Sequence, residues 1–199
     1  MANNSIKQTE EYVLHTYNKA TITLEYGEGA YLYDTDGKQY LDFAAGIAVS
    51  SLGYGNKELN EAMKAQVDKL CHTSNLYYNE TCGKAAENLA KASGLDKVFF
   101  CNSGTEAIEG CLKTVRKYAY AKGTGRYEFI AMEESFHGRT MGALSVTGRE
   151  PYRTPFEPLI PGVSFATYND LESVRSKITN KTCGIILEPL QGEGGIFPA

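Results

Sequence analysis

An α/β fold with a mostly parallel sheet is predicted by two features of the chain. Apolar runs, "KVFFCN", "YEFIAM", "VSFAT" and "CGIILEP", alternate with segments of helical periodicity, the pattern of buried strands linked by helices that cover both faces of the sheet. Within residues 105–123, Ile108, Leu112, Val115 and Ala119 recur on one side, which predicts a helix with a single face on the core.

The remaining elements follow in order. Residues 5–17 suit a short helix. From Thr21 the pattern turns to β: "ITLEYGEG" and "AYLYDTDGKQYLDF" predict a hairpin region with turn chemistry at Asp36-Gly37. Asn56 opens a helix whose apolar stripe is Leu59, Met63, Val67 and Leu70, and Asn79 and Gly94 read as the N-cap and C-cap of the next. A helix over 169–178 separates the last two strands. There is no repeat or low-complexity linker, and the glycine-rich turn "SLGYGN" marks the expected boundary between an N-terminal segment, 1–52, and an α/β domain, 53–199.

Composition narrows the function. Of 199 residues, 42% are hydrophobic and 22% charged, enough for one sizeable core. A net charge of −4 and pI near 5.5, without a basic run, exclude the electrostatic footprint of a nucleic-acid binder. No apolar run approaches the roughly 20 residues of a membrane span, and the first twelve residues lack a signal-peptide core, so a cytoplasmic protein is expected. Cys71, Cys82, Cys101, Cys111 and Cys183 are odd in number and widely spaced, which reads as reduced thiols and disfavours a zinc site.

In such sheets ligands collect beyond the carboxyl ends of the strands, and three loops lie there. In "NSGTE", Gly104 permits close backbone approach, Ser103 and Thr105 offer hydroxyls, and the N–H groups of a starting helix favour an anion such as phosphate; the same residues also suit an ordinary helix cap. No Walker-type or G-x-G-x-x-G loop points to a nucleotide. In "EESFHGRT", Phe136 is either a stacking surface for a planar ring or a core residue. Arg139 is either a carboxylate clamp or a solvated cation. His137 has no sequence-adjacent acid to orient it as a base, and structural hydrogen bonding is its expected role. In "EPLQGEGG", Glu188 is poised to pair with a cation, and three glycines in four residues argue against a plain surface turn.

"FCNSGTEAIEGCLKTVRKY", "SFHGRTMGALSVTG" and "IILEPLQGEGG" together resemble the class III, pyridoxal-phosphate-dependent aminotransferases, over residues from about Tyr12 onward. "LYDTDGKQYLDFAAGIAVSSLG" and "CHTSNLYYNE" extend the likeness toward members acting on N-acetylornithine. The resemblance implies an aspartate-aminotransferase-like, type I pyridoxal-phosphate fold of which this chain carries the N-terminal half, in a homodimer. It implies that Ser103, Gly104 and Thr105 bind the cofactor phosphate, with Phe136 stacked on the pyridine ring and His137 beside it. Arg139 would hold the α-carboxylate of N-acetylornithine or glutamate, and Glu188 would help discriminate the two by pairing with an arginine. The segments around Ile47 to Ser51 and Asn75 to Tyr78 would line the substrate entrance.

Two departures stand out. Tyr54 in "LGYGNKEL" replaces the histidine of a usual "LGH" turn. The Schiff-base lysine and the aspartate that pairs with the pyridine nitrogen are expected beyond the chain end, since Lys113 and Lys117 sit turns away along the helix; no catalytic residue is assigned here. The expected function is the front half of an enzyme that moves an amino group from N-acetylornithine to 2-oxoglutarate in arginine synthesis. The alternatives are an ornithine, succinylornithine or 4-aminobutyrate aminotransferase, or a non-catalytic pyridoxal-phosphate-binding unit or half of a split enzyme.

Overall fold

The computed structural model, which describes residues 2–199, begins with helix α1 (Ala2–Tyr12) and a three-stranded antiparallel sheet of β1 (Leu24–Glu28), β2 (Tyr31–Asp34) and β3 (Gln39–Leu41). The expected hairpin thus gains a third strand. Tyr26 and Tyr33 face each other across β1 and β2, their rings stacked 4.5 Å apart. Asp34 closes the β2–β3 turn: one carboxylate oxygen accepts the N–H groups of Asp36 and Lys38 at 3.0 and 2.9 Å, and the other accepts the Tyr40 hydroxyl at 2.7 Å. Those donors, the Tyr40 hydroxyl foremost, hold its carboxyl below the usual range. Tyr54 gives its hydroxyl to Asp42 at 2.6 Å. Between them Ala45, Gly46, Ile47 and Ala48 all adopt positive φ, a conformation rare for a β-branched residue, and Ile47 is 92% exposed.

Helix α2 (Lys57–Lys69) starts as expected at Asn56, whose side chain accepts the Leu59 N–H. Helix α3 (Glu80–Ser93) is capped by Asn79 through the Cys82 N–H at 3.1 Å and ends at Gly94, φ 72°. The described contacts divide the chain into residues 1–83 and 84–199.

The second unit is built from α4 (Gly104–Ala121), β4 (Glu128–Met132), α5 (Met141–Ser145), α6 (Glu150–Arg153), β5 (Val163–Ala166), α7 (Leu171–Lys177), β6 (Thr182–Ile185) and a small pair, β7 (Leu190–Gln191) with β8 (Phe197–Pro198). Strand β4 lies between β5 and β6, parallel to both. Its side chains alternate between two cores. Phe129 and Ala131 pack with Leu112 of α4 and Val146, while Ile130 and Met132 pack with Ala166 and Val174 of α7. Burial on both faces explains why Phe129 to Met132 are apolar throughout rather than alternating. "KVFFCN", read as a strand, joins no sheet among the described residues, because a ladder needs a neighbour and none flanks it. Among the described residues no helix is long and apolar enough to cross a membrane.

Short helix α5 has no side-chain cap of its own. Glu109 of α4 supplies one: its Oε1 accepts the Gly142 and Ala143 N–H groups at 2.9 and 3.2 Å and the Thr140 hydroxyl at 2.5 Å. Losing such a cap costs about 0.5–2 kcal/mol. Replacing Glu109 with alanine is therefore expected to lower the free energy of urea unfolding by about 1–2 kcal/mol, and with glutamine, which keeps an acceptor, by less; an alanine variant as stable as wild type contradicts this role.

Candidate functional site

All seven residues singled out in the three loops lie in the second unit, and side chains from its α4 start, β4 loop and β6 loop touch. At the start of α4, Ser103 is the N-cap: its Oγ accepts the Glu106 N–H at 3.3 Å and its hydroxyl donates to Glu106 Oε2 at 3.1 Å. Glu106 also accepts the Asn102 backbone N–H at 2.8 Å and side-chain amide at 3.2 Å, and these donors, the amide first, hold its carboxyl low. This is a reciprocal capping box. The N–H groups of Gly104 and Thr105 find no acceptor among the described residues, and a Cβ at Gly104 would meet no atom within 4 Å. The helix end is open.

Thr105 joins this loop to the next. The Thr140 hydroxyl gives its one proton to Glu109, so the Thr105 hydroxyl donates to Thr140 Oγ1 at 2.8 Å, and Thr105 Oγ1 in turn accepts the Thr140 N–H at 3.2 Å. The hydroxyls expected to face a ligand are thus committed, and the backbone N–H groups are the donors left over. Gly138, at φ 139°, lies so close that a Cβ there would sit 2.4 Å from Thr105 Oγ1 and 2.9 Å from Ala143 Cβ; no other residue fits.

The β4 loop is anchored from within. Ser135, fully buried, donates to the Met132 carbonyl at 2.6 Å and accepts the Gly148 N–H at 3.0 Å. Thr147 Oγ1 accepts the His137 backbone N–H at 3.0 Å. The His137 ring is buried, its Nε2 has no partner, and burial lowers its pKa from 6.5 to about 4. It is a neutral imidazole with an unmet nitrogen, so the hydrogen bond expected of its ring is absent. Phe136 donates its backbone N–H to Glu188 Oε2 at 3.0 Å, which ties the second loop to the third. Burial pushes the Glu188 carboxyl up, against the Phe136 N–H.

The third loop is held by Gln191, 1% exposed, which donates to the Glu133 carbonyl at 2.9 Å, and by the Tyr168 hydroxyl on the Glu188 carbonyl at 2.8 Å. Glu188 meets no arginine among the described residues. In the same loop Glu193 does: it lies 3.5 Å from Arg149, which Glu134 also approaches at 3.4 Å, and 2.7 Å from the Tyr152 hydroxyl. Arg139 lies 5.3 Å over the Phe136 ring and 4.3 Å over Tyr152. It makes neither an ion pair nor a hydrogen bond among the described residues. Tyr152, Glu193 and Glu109 carried no sequence signal of these contacts beyond Glu193's place in the glycine-rich loop.

The family model described as Aminotransferase class-III matches residues 12–199. The acetylornithine aminotransferase of Clostridium acetobutylicum is 50% identical over 96% of this chain and 50% of its own length, and that of Archaeoglobus fulgidus 46% identical over 98% and 50%. Among solved structures, the ornithine aminotransferase of Toxoplasma gondii matches with a TM-score of 0.92 at 28% identity, over 98% of this chain and 47% of its own. The adenosylmethionine-8-amino-7-oxononanoate aminotransferase of Methanocaldococcus jannaschii gives 0.92 at 33%, over 100% and 50%. The chain thus spans about half the length of the curated relatives it matches.

The buried imidazole makes stability depend on pH. Its folded pKa is depressed, so the unfolded chain takes up the proton first; stability is fully present above the unfolded value of 6.5 and is lost as pH falls toward about 4. Between these limits the urea midpoint of wild type is expected to fall more steeply with decreasing pH than that of His137→Gln; parallel profiles would show that His137 is not held neutral.

Proposed function

The chain belongs to the class-III aminotransferases, and on that premise we propose that it forms the phosphate, ring and carboxylate subsites of a pyridoxal 5'-phosphate-dependent enzyme that moves the δ-amino group of N-acetylornithine to 2-oxoglutarate, in arginine biosynthesis. The observation that carries the reading is the convergence of the loops: Gly138 packs on Thr105, Phe136 bonds to Glu188, and Arg139 lies over Phe136.

The residues fit such a cofactor. Two N–H groups at the open start of α4 suit a dianionic phosphate in a region of positive dipole potential. Phe136, in the loop whose Gly138 packs on Thr105, is the ring proposed to stack on the pyridine, with buried, neutral His137 next to it in the chain. Arg139, with its donors uncommitted, suits the planar α-carboxylate of N-acetylornithine or glutamate. Glu188 fixes the Phe136 backbone and, in this reading, helps to tell the two substrates apart by pairing with an arginine. Once bound, the cofactor supplies the electron sink for transamination. The homodimer implied by the resemblance and the cytoplasmic setting expected from the sequence belong to the same proposal.

The test is titration of the 199-residue chain with pyridoxal 5'-phosphate and, separately, inorganic phosphate, followed by fluorescence. Phe136→Leu is expected to weaken pyridoxal 5'-phosphate binding about three- to tenfold, the worth of an aromatic stack, and to leave phosphate unaffected. Equal affinity of wild type and variant for pyridoxal 5'-phosphate refutes the ring subsite.

A further inference from the structure

Arg139 is held in an unusual way for a cation. Its guanidinium lies 4.3 Å over Tyr152 and 5.3 Å over Phe136, and the two rings meet edge to face, 6.4 Å apart at 89°. Contact through the flat faces restrains the group while its in-plane N–H donors remain available. An ion pair would have consumed those donors. Tyr152 is itself fixed, its hydroxyl donating to Glu193 at 2.7 Å, and Arg149 lies 5.2 Å over its ring and 3.5 Å from the same carboxylate.

We propose that Tyr152 is the positioning residue of the carboxylate subsite: its ring is the platform that sets the plane of the Arg139 fork, and Glu193 holds that platform in place. The proposal rests on Arg139 being the carboxylate clamp. It assigns a role to a residue of α6 that touches neither the open helix end nor any other residue singled out for the site except Phe136 and Arg139. Because a flexible guanidinium loses conformational freedom on binding, a platform that pre-sets its plane raises carboxylate affinity without adding a contact.

The experiment compares wild type, Arg139→Ala, Tyr152→Phe and Tyr152→Leu by calorimetric titration with 2-oxoglutarate and with inorganic phosphate. Tyr152→Phe keeps the ring but loses the bond to Glu193 and is expected to bind 2-oxoglutarate about threefold more weakly than wild type, and Tyr152→Leu about tenfold more weakly. Phosphate affinity is expected to stay constant across the four, which general misfolding would not allow. If Arg139→Ala loses 2-oxoglutarate and Tyr152→Leu does not, or if Tyr152→Leu weakens phosphate equally, the platform is refuted while the clamp stands. If wild type fails to bind 2-oxoglutarate, or Arg139→Ala binds it as wild type does, the clamp is refuted and the platform with it.

Discussion

The contact on which the site depends is the seam between the first turn of α4 and the loop that follows β4. Thr105 and Gly138 approach so closely that a single added carbon would collide, and Thr140, hydrogen-bonded to both Thr105 and Glu109, closes the seam. Once this is set, little freedom remains. The N–H groups that begin α4, the Phe136 ring and the Arg139 guanidinium come from parts of the sequence more than thirty residues apart, as the Thr105–Thr140 bond measures, and the seam fixes them in one neighbourhood.

Charge is arranged to the same end. Glu106, Glu109 and Glu188 all lie close to these loops, and each accepts backbone N–H groups: of Asn102, of Gly142 and Ala143, and of Phe136. A carboxylate satisfied by local donors repels an incoming anion less than a free one. His137 is neutral. The donors left without an acceptor there, among the described residues, are two N–H groups at the amino end of a helix and the Arg139 guanidinium. These donors are what the proposed phosphate and carboxylate subsites draw on.

Much of this was legible in the sequence because short-range chemistry governs it. The apolar stripe of α4, the strands at "EFIAM" and "VSFA", and the caps at Asn56, Asn79 and Ser103 follow from side-chain pattern alone. The rule that ligands gather at strand carboxyl ends brings the three loops together from sequence order alone. Long-range partners were not legible. Glu109 reads as a helix-surface residue, yet it caps another helix; Tyr152 sits in a four-residue helix with no motif, yet it underlies Arg139. The pattern of Ser103 and Thr105 suits a ligand or a helix cap alike, and the structure commits their protons to Glu106 and Thr140. Spacing shows which residues are near the start of a helix but not which of their hydrogens are already in use.

The central claim, that the open start of α4 seats a phosphate, is tested most directly by amide chemical shifts of the 15N-labelled chain titrated with inorganic phosphate. Downfield movement of the Gly104 and Thr105 N–H resonances, saturating together and exceeding that of every other amide, is the predicted result. Unmoved Gly104 and Thr105 amides at saturating phosphate, or the largest changes elsewhere in the chain, would contradict the account.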